Sequence, residues 1–476
     1  MKLSELVREL EDVNLSGDAT VTGLCSDSRV AGEGDLFFCF GGTHVDSHIY
    51  AREAEERGCA AVVCERDTGV SIPQLVVKDG REAMARLCAA FYGHPEKKLK
   101  IVGVTGTNGK TTVTHMFYNI LLEAGKKVGM LGTLGAKYAS VTVAPSLTTP
   151  DPASLFSLLG DMVEKGIEIV VMEVSAHALA LKKDCPICYD TAIFTNLSQD
   201  HLDFFGDMRT YGEAKKSLFS DGRCKVAILN ADDPFSQELS CGEYKTYGLD
   251  SPADSFAIVE REELAGTRAL LNLSDELCEV FVPLTGRHNV YNALAAATAA
   301  GRYGVGAVDI ADGLRKTRVD GRLEWVGRTR GADIVVDFAH TPDGLEKSLT
   351  ALRPYCDGKL VVLFGCGGNR DRGKRPLMGE TAARFADYAV LTSDNPRYEE
   401  PLAIIKEIEK GYSAVSGEYT IVEERERATE YAVGLLGEGD ILLVAGKGGE
   451  YEQEIMGIKY SYSDKTVIGN ILGKLK

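Results

Sequence analysis

Residues 101–112 read IVGVTGTNGKTT, and this stretch decides how the central part of the chain folds. The apolar run at 101–104 predicts a buried strand, and the glycines and asparagine at 106–109 predict a turn directly after it. From Val113 onward the apolar residues recur at helical spacing. A strand, a glycine turn and a helix start in this order form a cradle in which backbone N–H groups and the positive end of the helix dipole bind phosphate.

Two side chains at the end of this stretch favour phosphate binding over an ordinary turn before a helix. Lys110 brings a full positive charge, and the Thr111 hydroxyl is a suitable ligand for a magnesium ion. The standard pattern G-x-x-x-x-G-K-[ST] would need glycine where this chain has Val104, so the match is to the shorter G-x-x-G-K-T-T. Lysine and paired threonines add little to packing at a helix start. The predicted phosphate loop comprises Gly106, Thr107, Asn108, Gly109, Lys110, Thr111 and Thr112.

Length and charge restrict the class of protein. A chain of 476 residues is too long for one hydrophobic core, which predicts several domains. The net charge of −17 argues against a nucleic-acid partner, although it permits a local basic pocket for a small anion. The opening residues MKLSELVREL lack the apolar core of a secretion signal, and no run approaches the roughly 20 apolar residues of a membrane span. We therefore expect a cytoplasmic protein without a membrane span.

The apolar runs divide the chain into three segments. Residues 1–98 predict a small α/β domain, with strands near 36–40, 60–64 and 75–77. Residues 99–325 contain the phosphate loop. Residues 326–476 contain four apolar runs separated by helical patterns, as in a doubly wound parallel sheet. The predicted fold class is α/β with three domains, a central P-loop mononucleotide-binding parallel or mixed sheet, and a C-terminal Rossmann-like doubly wound sheet.

Polar side chains follow two predicted strands of the central segment. Glu173 comes after the apolar run 167–172, and a polar stretch ending near His201 comes after the run 192–194. Ligands of open α/β sheets collect at the carboxyl edge of the strands, and such polar groups suit a magnesium-phosphate site. A lone glutamate after a strand is usually a solvated terminus. Together with the phosphate loop, these residues favour a binding site.

Three further residues of this segment have two possible interpretations. Taken alone, Lys215 is a surface lysine at the start of a helical pattern. Asn289 and Asn292 stand three apart before an alanine-rich helix, so both can face one ligand from its first turn. They can equally be helix caps.

The four predicted strands of the last segment all end in polar or glycine-rich sequence, at 337–340, 365–370, 392–397 and 445–450. Because parallel strands end at one edge, these loops predict a second ligand face. No G-x-G-x-x-G follows a strand in this segment, which argues against a dinucleotide.

These residues resemble the Mur ligase family over nearly the whole chain. The phosphate loop is similar to the family's GTNGKT loop, and Lys215 within Tyr-x-x-Ala-Lys resembles the lysine that the family carries as a carbamate. The resemblance implies ATP and Mg²⁺ as cofactors and catalytic roles for Lys110, Lys215 and His201. It implies metal binding by Thr111, Glu173, His201 and Lys215, and further ATP contacts by Asn289, Asn292, Arg322, Asp337 and His340.

The resemblance also implies two substrate sites. Alone, residues 26–29 and 41–46 are surface turns, but 26–29 resembles the family's uridine loop. The implied contacts to a UDP-linked muramoyl-dipeptide are Ser28, Thr43, His44, Val45, Asn108, Thr148, Thr149, Ser175 and Lys183, the last where the family often has arginine. Asp394–Arg397 resembles the family's marker for meso-diaminopimelate, whose second carboxylate a guanidinium binds bidentately. The implied pocket comprises Arg370, Asp394, Asn395, Pro396, Arg397, Gly446 and Glu450.

The implied activity is ATP-dependent addition of meso-2,6-diaminopimelate to UDP-N-acetylmuramoyl-L-alanyl-D-glutamate through an acyl phosphate. This reaction belongs to peptidoglycan synthesis, with small-molecule substrates and a monomeric enzyme. Other ligases remain as alternatives: a lysine-adding relative, a folylpolyglutamate-synthetase-like enzyme, and the ligase that adds D-Ala-D-Ala. A protein of another class, which binds ATP only as a switch, would need no amino-acid pocket.

Overall fold

The computed structural model describes residues 1–42, 45–145, 147–220, 222–239, 241–274, 276–415 and 417–475. Thr43 and His44, two of the predicted nucleotide-dipeptide contacts, lie outside these ranges. Backbone contacts divide the chain into two compact units, the first comprising residues 1–103, 126–192 and 217–226, and the second 104–125, 193–216 and 227–476. Within the described ranges, no helix combines the length and the apolar composition that crossing a membrane requires.

The N-terminal part forms a five-stranded sheet with helices. Its strand order is β1-β5-β4-β3-β2, in which β2 to β5 run parallel and β1 is antiparallel to β5. The strands predicted near 36–40, 60–64 and 75–77 are confirmed as β3, β4 and β5. The elements are α1 (Leu3–Leu6), β1 (Asn14–Leu15), β2 (Gly23–Cys25), β3 (Asp35–Phe38), α2 (Ala51–Glu56), β4 (Ala61–Cys64), β5 (Gln74–Val76) and α3 (Gly80–Phe91).

The central part begins with the predicted strand, turn and helix, which are β6, the phosphate loop and α4. Its first elements are β6 (Lys100–Thr105), α4 (Lys110–Glu123), β7 (Val128–Gly132), β8 (Gly135–Tyr138), β9 (Val141–Val143), α5 (Pro152–Glu164), β10 (Ile169–Glu173), α6 (Ala176–Ala180), β11 (Tyr189–Phe194), α7 (Leu202–Phe205), α8 (Met208–Lys216) and β12 (Cys224–Asn230). The polar stretches predicted to follow strands therefore follow β10 and β11.

A mixed extension follows that the sequence did not predict. It consists of β13 (Glu243–Gly248), β14 (Ser255–Glu263), β15 (Gly266–Leu273), β16 (Glu276–Val282), α9 (Arg287–Gly301) and α10 (Ala307–Lys316). β14, β15 and β16 pair antiparallel, with a register shift between Val259 and Arg261. The eleven strands β6 to β16 have the order β16-β15-β14-β13-β12-β11-β6-β10-β7-β8-β9.

The C-terminal part is the predicted doubly wound sheet. Its order is β17-β18-β22-β19-β20-β21, parallel except for the edge strand β17. The elements are β17 (Glu324–Thr329), β18 (Ala332–Asp337), α11 (Pro342–Leu352), β19 (Leu360–Phe364), α12 (Lys374–Phe385), β20 (Tyr388–Leu391), α13 (Pro401–Ser413), β21 (Glu418–Ile421), α14 (Arg425–Leu435), β22 (Ile441–Ala445), β23 (Glu452–Ile455), β24 (Ile458–Ser461) and α15 (Asp464–Leu475).

Helices cover both faces of this sheet, which explains why its central strands are continuous apolar runs. In β19, Val362 packs in one core with α11, α12 and α13, while Val361 and Leu363 pack in the other with α14 and α15. Successive side chains of a strand point to opposite faces, so both sets are buried. The loops at the carboxyl ends of the strands are thereby held on a rigid base.

Candidate active site

The phosphate loop requires glycine at two positions. Gly106 has a φ of 147° and Gly109 has a φ of 87°, both in the region that favours glycine. A Cβ on Gly106 would overlap the Thr195 hydroxyl, and one on Gly109 would lie 2.5 Å from Asn292 Oδ1. Close approach of neighbouring side chains therefore fixes the shape of the loop, and α4 begins at its Lys110.

The segment after β11 forms hydrogen bonds with the phosphate loop, mostly with the backbone of the loop. The Thr107 N–H donates to the carbonyl of Asn196 (2.8 Å), and the Asn108 N–H donates to Asn196 Oδ1 (3.0 Å). The Thr195 hydroxyl donates to the carbonyl of Asn108 (2.6 Å), and the Ser198 N–H donates to the Thr107 hydroxyl (3.0 Å). The polar stretch that was predicted to belong to a site thus supports the phosphate loop directly. Asn196 was not among the predicted site residues.

Two lysines converge on one carbonyl of the loop. Lys110 Nζ donates to the carbonyls of Gly106 (2.9 Å) and Thr107 (2.8 Å), and Lys215 Nζ donates to the same Gly106 carbonyl (2.9 Å). Lys215 is buried, with 1% of its surface exposed, so the surface-lysine interpretation is wrong. Burial lowers the pKa of Lys215 well below its usual value, and the charge of Lys110 lowers it further, against an opposing effect of Asp200. Burial and the neighbouring charge of Lys110 therefore both disfavour the charged form of this amine.

A buried carboxylate, Asp200, collects three basic side chains. Lys374 Nζ lies 3.0 Å from Asp200 Oδ1, and the Nε2 atoms of His201 and His340 each lie 3.4 Å from Oδ2. Burial would raise the pKa of Asp200, but a hydrogen bond with His340 and the charge of Lys374 hold it well below its usual value. Asp200 therefore stays ionised and fixes the positions of two predicted site residues, His201 and His340. Lys374 was not predicted, because a lysine in a first helical turn has no distinguishing sequence signal.

A cavity of about 540 Å³ lies beside the phosphate loop within the second unit. Its volume falls in the range of small-molecule sites, roughly 300–1,000 Å³. Seven predicted ATP contacts line it: Asn108, Gly109, Thr112, Asn289, Asn292, Arg322 and Asp337. Sequence reasoning missed His288, a further lining residue; burial lowers its pKa to about 4, so its ring is neutral at pH 7.

The two asparagines of α9 do not cap this helix, so the cap interpretation is wrong. The N-cap position is Gly286, and no side chain caps the helix. Asn292 Nδ2 donates to Asn289 Oδ1 (3.0 Å), and Asn289 Nδ2 donates to the carbonyl of Thr285 (2.9 Å). Both side chains are therefore held at the wall of the cavity.

Arg322 and Asp337 contribute to the cavity in different ways. The Arg322 guanidinium stacks over the Phe338 ring at 4.3 Å, and its Nη2 donates to the Thr111 hydroxyl (3.1 Å). Asp337 accepts hydrogen bonds from the N–H groups of Leu323 (2.7 Å) and Ala339 (3.0 Å). Arg322 thus brings a cation to the start of α4, while Asp337 holds the surrounding loops.

The predicted amino-acid residues come together at the carboxyl ends of β19, β20 and β22. Lys447, fully buried, binds Asn395 Oδ1 (2.9 Å) and Glu450 Oε2 (3.0 Å) and lies 3.4 Å from Asp394 Oδ1. Burial would raise the pKa of Asp394, but the charge of Lys447 holds it below its usual value. Gly446 has a φ of 111°, and a Cβ there would lie 2.9 Å from Asp394 Oδ2. Lys447 was not predicted as a site residue, although it stands between two glycines of the loop at 445–450.

Two guanidinium groups adjoin this cluster. Desolvation lowers the pKa of Arg370, and the positive charge of Arg397 lowers it further. Arg370 forms no hydrogen bond or ion pair with any described residue. Pro396 lies between Asn395 and Arg397, and its carbonyl approaches Gly368 so closely that a Cβ on this glycine would overlap it. Neighbouring cations, one of them unpaired, are suited to an anionic carboxylate.

The remaining predicted contacts belong to the first unit. Glu173, at the end of β10, is buried, and its carboxylate accepts from the backbone N–H (2.8 Å) and the hydroxyl (3.1 Å) of Thr133. The Thr133 hydroxyl lies 3.1 Å from that of Thr148, and the Ser175 N–H donates to the Thr149 hydroxyl (3.0 Å). Thr148, Thr149, Ser175 and Glu173 therefore form one polar cluster.

Lys183, Ser28 and Val45 are the other predicted contacts of this unit within the described residues. Lys183 pairs with Asp151. Ser28 is buried after β2, and Val45 is exposed.

Family models match most of the chain. A model described as "Mur ligase family, catalytic domain" covers residues 20–92, one described as "Mur ligase middle domain" covers 104–300, and one described as "Mur ligase, glutamate ligase domain" covers 321–448. These matches, together with the fold and the phosphate loop, place the protein in a class of ligases. The chain belongs to the Mur ligase family.

Similar proteins narrow the relationship within that family. The chain is 42% identical to a UDP-N-acetylmuramoyl-L-alanyl-D-glutamate–2,6-diaminopimelate ligase from Geobacillus thermodenitrificans, over 98% of both chains. It is 40% identical to a ligase of the same name from Aquifex aeolicus, over 95% of this chain and 94% of that one. A solved structure of a ligase with this name is similar at a TM-score of 0.66 and 31% identity, covering 96% of this chain and 95% of that chain. A MurF ligase from Thermotoga maritima in complex with ADP shares the fold, at a TM-score of 0.64 and 20% identity, covering 96% of this chain and 98% of that chain.

Proposed function

We propose that this protein is an ATP-dependent ligase that adds meso-2,6-diaminopimelate to UDP-N-acetylmuramoyl-L-alanyl-D-glutamate in peptidoglycan synthesis. The observation that carries the proposal is 42% identity, over 98% of both chains, to a ligase with this activity in its name. The cavity beside the phosphate loop and the two guanidinium groups of the last segment support it.

The residues around the phosphate loop bind and orient ATP. The loop amides, the start of α4 and Lys110 receive the phosphates, and Arg322 adds a further cation. The D-glutamyl carboxylate attacks the γ-phosphorus, which forms an acyl phosphate and releases ADP. The amine of diaminopimelate then attacks the acyl carbon, loses a proton and expels inorganic phosphate. Phosphoryl transfer depends mainly on positioning and charge neutralisation, which these side chains supply.

Mg²⁺ is proposed as the second cofactor, held by Thr111, His201 and a carbamylated Lys215. A carbamate on Lys215 would add an anionic oxygen to this donor set, and Mg²⁺ prefers oxygen ligands. A buried, neutral lysine amine can add to carbon dioxide and lose a proton, which converts a cation into an anionic oxygen ligand. When bound, Mg²⁺ neutralises phosphate charge. Glu173 remains a metal ligand predicted from the sequence.

The amino-acid site is proposed at the loops after β19, β20 and β22. Arg370 and Arg397 bind the second carboxylate of diaminopimelate, because a guanidinium offers paired donors to a carboxylate. Asp394 and Glu450 attract an ammonium group.

The other sequence predictions are retained as parts of this proposal. Thr148, Thr149 and Ser175 contact the nucleotide-linked dipeptide. The chain has domains at 1–98, 99–325 and 326–476, and it acts as a cytoplasmic monomer on small molecules.

Kinetics of Arg397→Ala test the amino-acid site. We expect the KM for diaminopimelate to rise by about tenfold or more, because a charge-assisted hydrogen bond contributes roughly 1.5–3 kcal/mol. The KM for ATP should stay unchanged, and both can be measured by phosphate release. Equal changes in the two KM values would remove Arg397 from the pocket. A wild-type protein that prefers lysine as the amino acid would favour the lysine-adding alternative. One that joins glutamate to a folate would favour the folylpolyglutamate-synthetase alternative.

A further inference from the structure

The Arg397 side chain is held by a hairpin outside the main sheet. This hairpin consists of β23 and β24, which form a two-stranded sheet of their own, and Ile455 of β23 forms an isolated parallel bridge with Arg397. Arg397 Nε donates to Glu454 Oε2 (3.0 Å), and the Arg397 N–H donates to the carbonyl of Glu454 (3.1 Å). The Met456 N–H donates back to the Arg397 carbonyl (2.6 Å). Arg397 has a φ of 52°, so its backbone conformation depends on such support.

A second anchor leaves one end of the guanidinium available. Arg397 Nη1 donates to the carbonyl of Gly368 (2.8 Å). Nη2 has no partner among the described residues. The side chain is thus fixed through Nε and Nη1, while Nη2 keeps its donors for a ligand.

The hairpin also supports the rest of the amino-acid loop. The Glu454 N–H donates to Asn395 Oδ1 (3.0 Å), and Gln453 Nε2 donates to the carbonyl of Asp394 (2.6 Å). The β24 strand is exposed along its whole length. The contacts of β23 with the loop at 394–397 therefore form a specific brace rather than part of a general hydrophobic core.

We propose that Glu454 is a positioning residue that makes the pocket selective for an amino acid with a second carboxylate. Its carboxylate orients Arg397 so that Nη2, together with the unpaired Arg370, receives the distal carboxylate of the substrate. Its charge also offsets the repulsion between the two guanidinium groups. A donor already held in place loses less side-chain entropy on binding. This inference rests on the proposed function and adds a selectivity residue to it.

Steady-state kinetics of Glu454→Ala test the proposal, with diaminopimelate and lysine as alternative acceptors. We expect the KM for diaminopimelate to rise about tenfold and the preference for diaminopimelate over lysine to fall by a similar factor. The KM values for ATP and for the nucleotide-dipeptide should not change. Glu454→Gln keeps an oxygen acceptor for Nε but removes the charge, so it should recover part of the loss. Glu452→Ala is the matched control, because Glu452 lies on the same strand but pairs with Lys459.

Three results would overturn this proposal without refuting the proposed function. A lower KM for diaminopimelate in Glu454→Ala would mean that Glu454 competes with the substrate. Equal effects on all three substrates, with a matching loss of thermal stability, would mean a structural role only. Kinetics indistinguishable from those of Glu452→Ala would remove Glu454 from selectivity while leaving the proposed function intact. A wild-type protein that forms no product with diaminopimelate would instead refute the proposed function, and this inference with it.

Discussion

Lys215 and Lys110 bring two amines to one carbonyl oxygen at the base of the phosphate loop. Side by side, two ammonium groups in a buried site repel each other, and the pKa of Lys215 falls because burial and Lys110 both disfavour its charged form. Lys215 is therefore costly as a cation and suited to carbamylation. The sequence alone favoured a surface residue, because nothing in the spacing of α8 distinguishes a buried lysine from an exposed one. Only the family resemblance identified it.

Removing Lys215 tests the carbamate directly. We expect Lys215→Ala to lose ligase activity, because the anionic ligand disappears with the side chain. Short carboxylates such as acetate should restore part of the activity by occupying the space of the carbamate. Product formation can be followed with and without acetate, and Lys216→Ala, at the neighbouring position of α8, is the control. A fully active Lys215→Ala variant would refute the carbamate.

The strand, turn and helix at 100–123 were predictable because each part has its own sequence signal. The four buried strands of the last segment were predictable for a similar reason, since helices on both faces make each strand a continuous apolar run. β14 to β16 have no such signal: their exposed positions include Phe256, Ile258 and Leu277, which blur the alternation of a half-buried strand. β24 is exposed throughout, so the alternation of Ile458 and Tyr460 with polar residues does not report a buried face. Glu454, the residue inferred to set selectivity, lies on β23 of this hairpin, which sequence patterns do not predict.

The two ends of α4 offer a matched pair of substitutions, Gly109 directly before the helix and Gly125 after it. Gly109 and Gly125 both have positive φ values, 87° and 65°, but only a Cβ on Gly109 would meet another residue, Asn292 Oδ1 at 2.5 Å. Each change to alanine should cost roughly 1–2 kcal/mol of backbone strain. Gly109→Ala should in addition weaken ATP binding by about tenfold or more, because the loop or Asn292 must move. Titration with a fluorescent ATP analogue and thermal unfolding measure the two effects. Equal ATP affinities in the two variants would contradict the role of this close approach.

In the second unit, hydrogen bonds join the phosphate loop and the segment after β11 to residues more than 150 positions later in the chain. Asn108 Nδ2 donates to Asp343 Oδ2 (2.8 Å), Arg322 donates to Thr111 (3.1 Å), and Lys374 donates to Asp200 (3.0 Å). These long-range pairs bind α4 and the segment after β11 to the C-terminal sheet. Sequence patterns report local structure, so they predicted the strand-end loops but not these partners. In the sequence, nothing distinguishes Asp343 and Lys374 from other charged residues near the start of a helix.

The most direct test of the whole account is a competition between two amino acids for one acyl phosphate. The purified protein receives ATP, Mg²⁺, UDP-N-acetylmuramoyl-L-alanyl-D-glutamate and equal amounts of meso-diaminopimelate and lysine, and mass spectrometry identifies the products. We expect the diaminopimelate adduct almost alone, formed together with equal amounts of ADP and phosphate, because only this amino acid supplies a carboxylate for Arg370 and Arg397. Lysine adduct in comparable amount, or ATP hydrolysis without any amide product, would contradict the account.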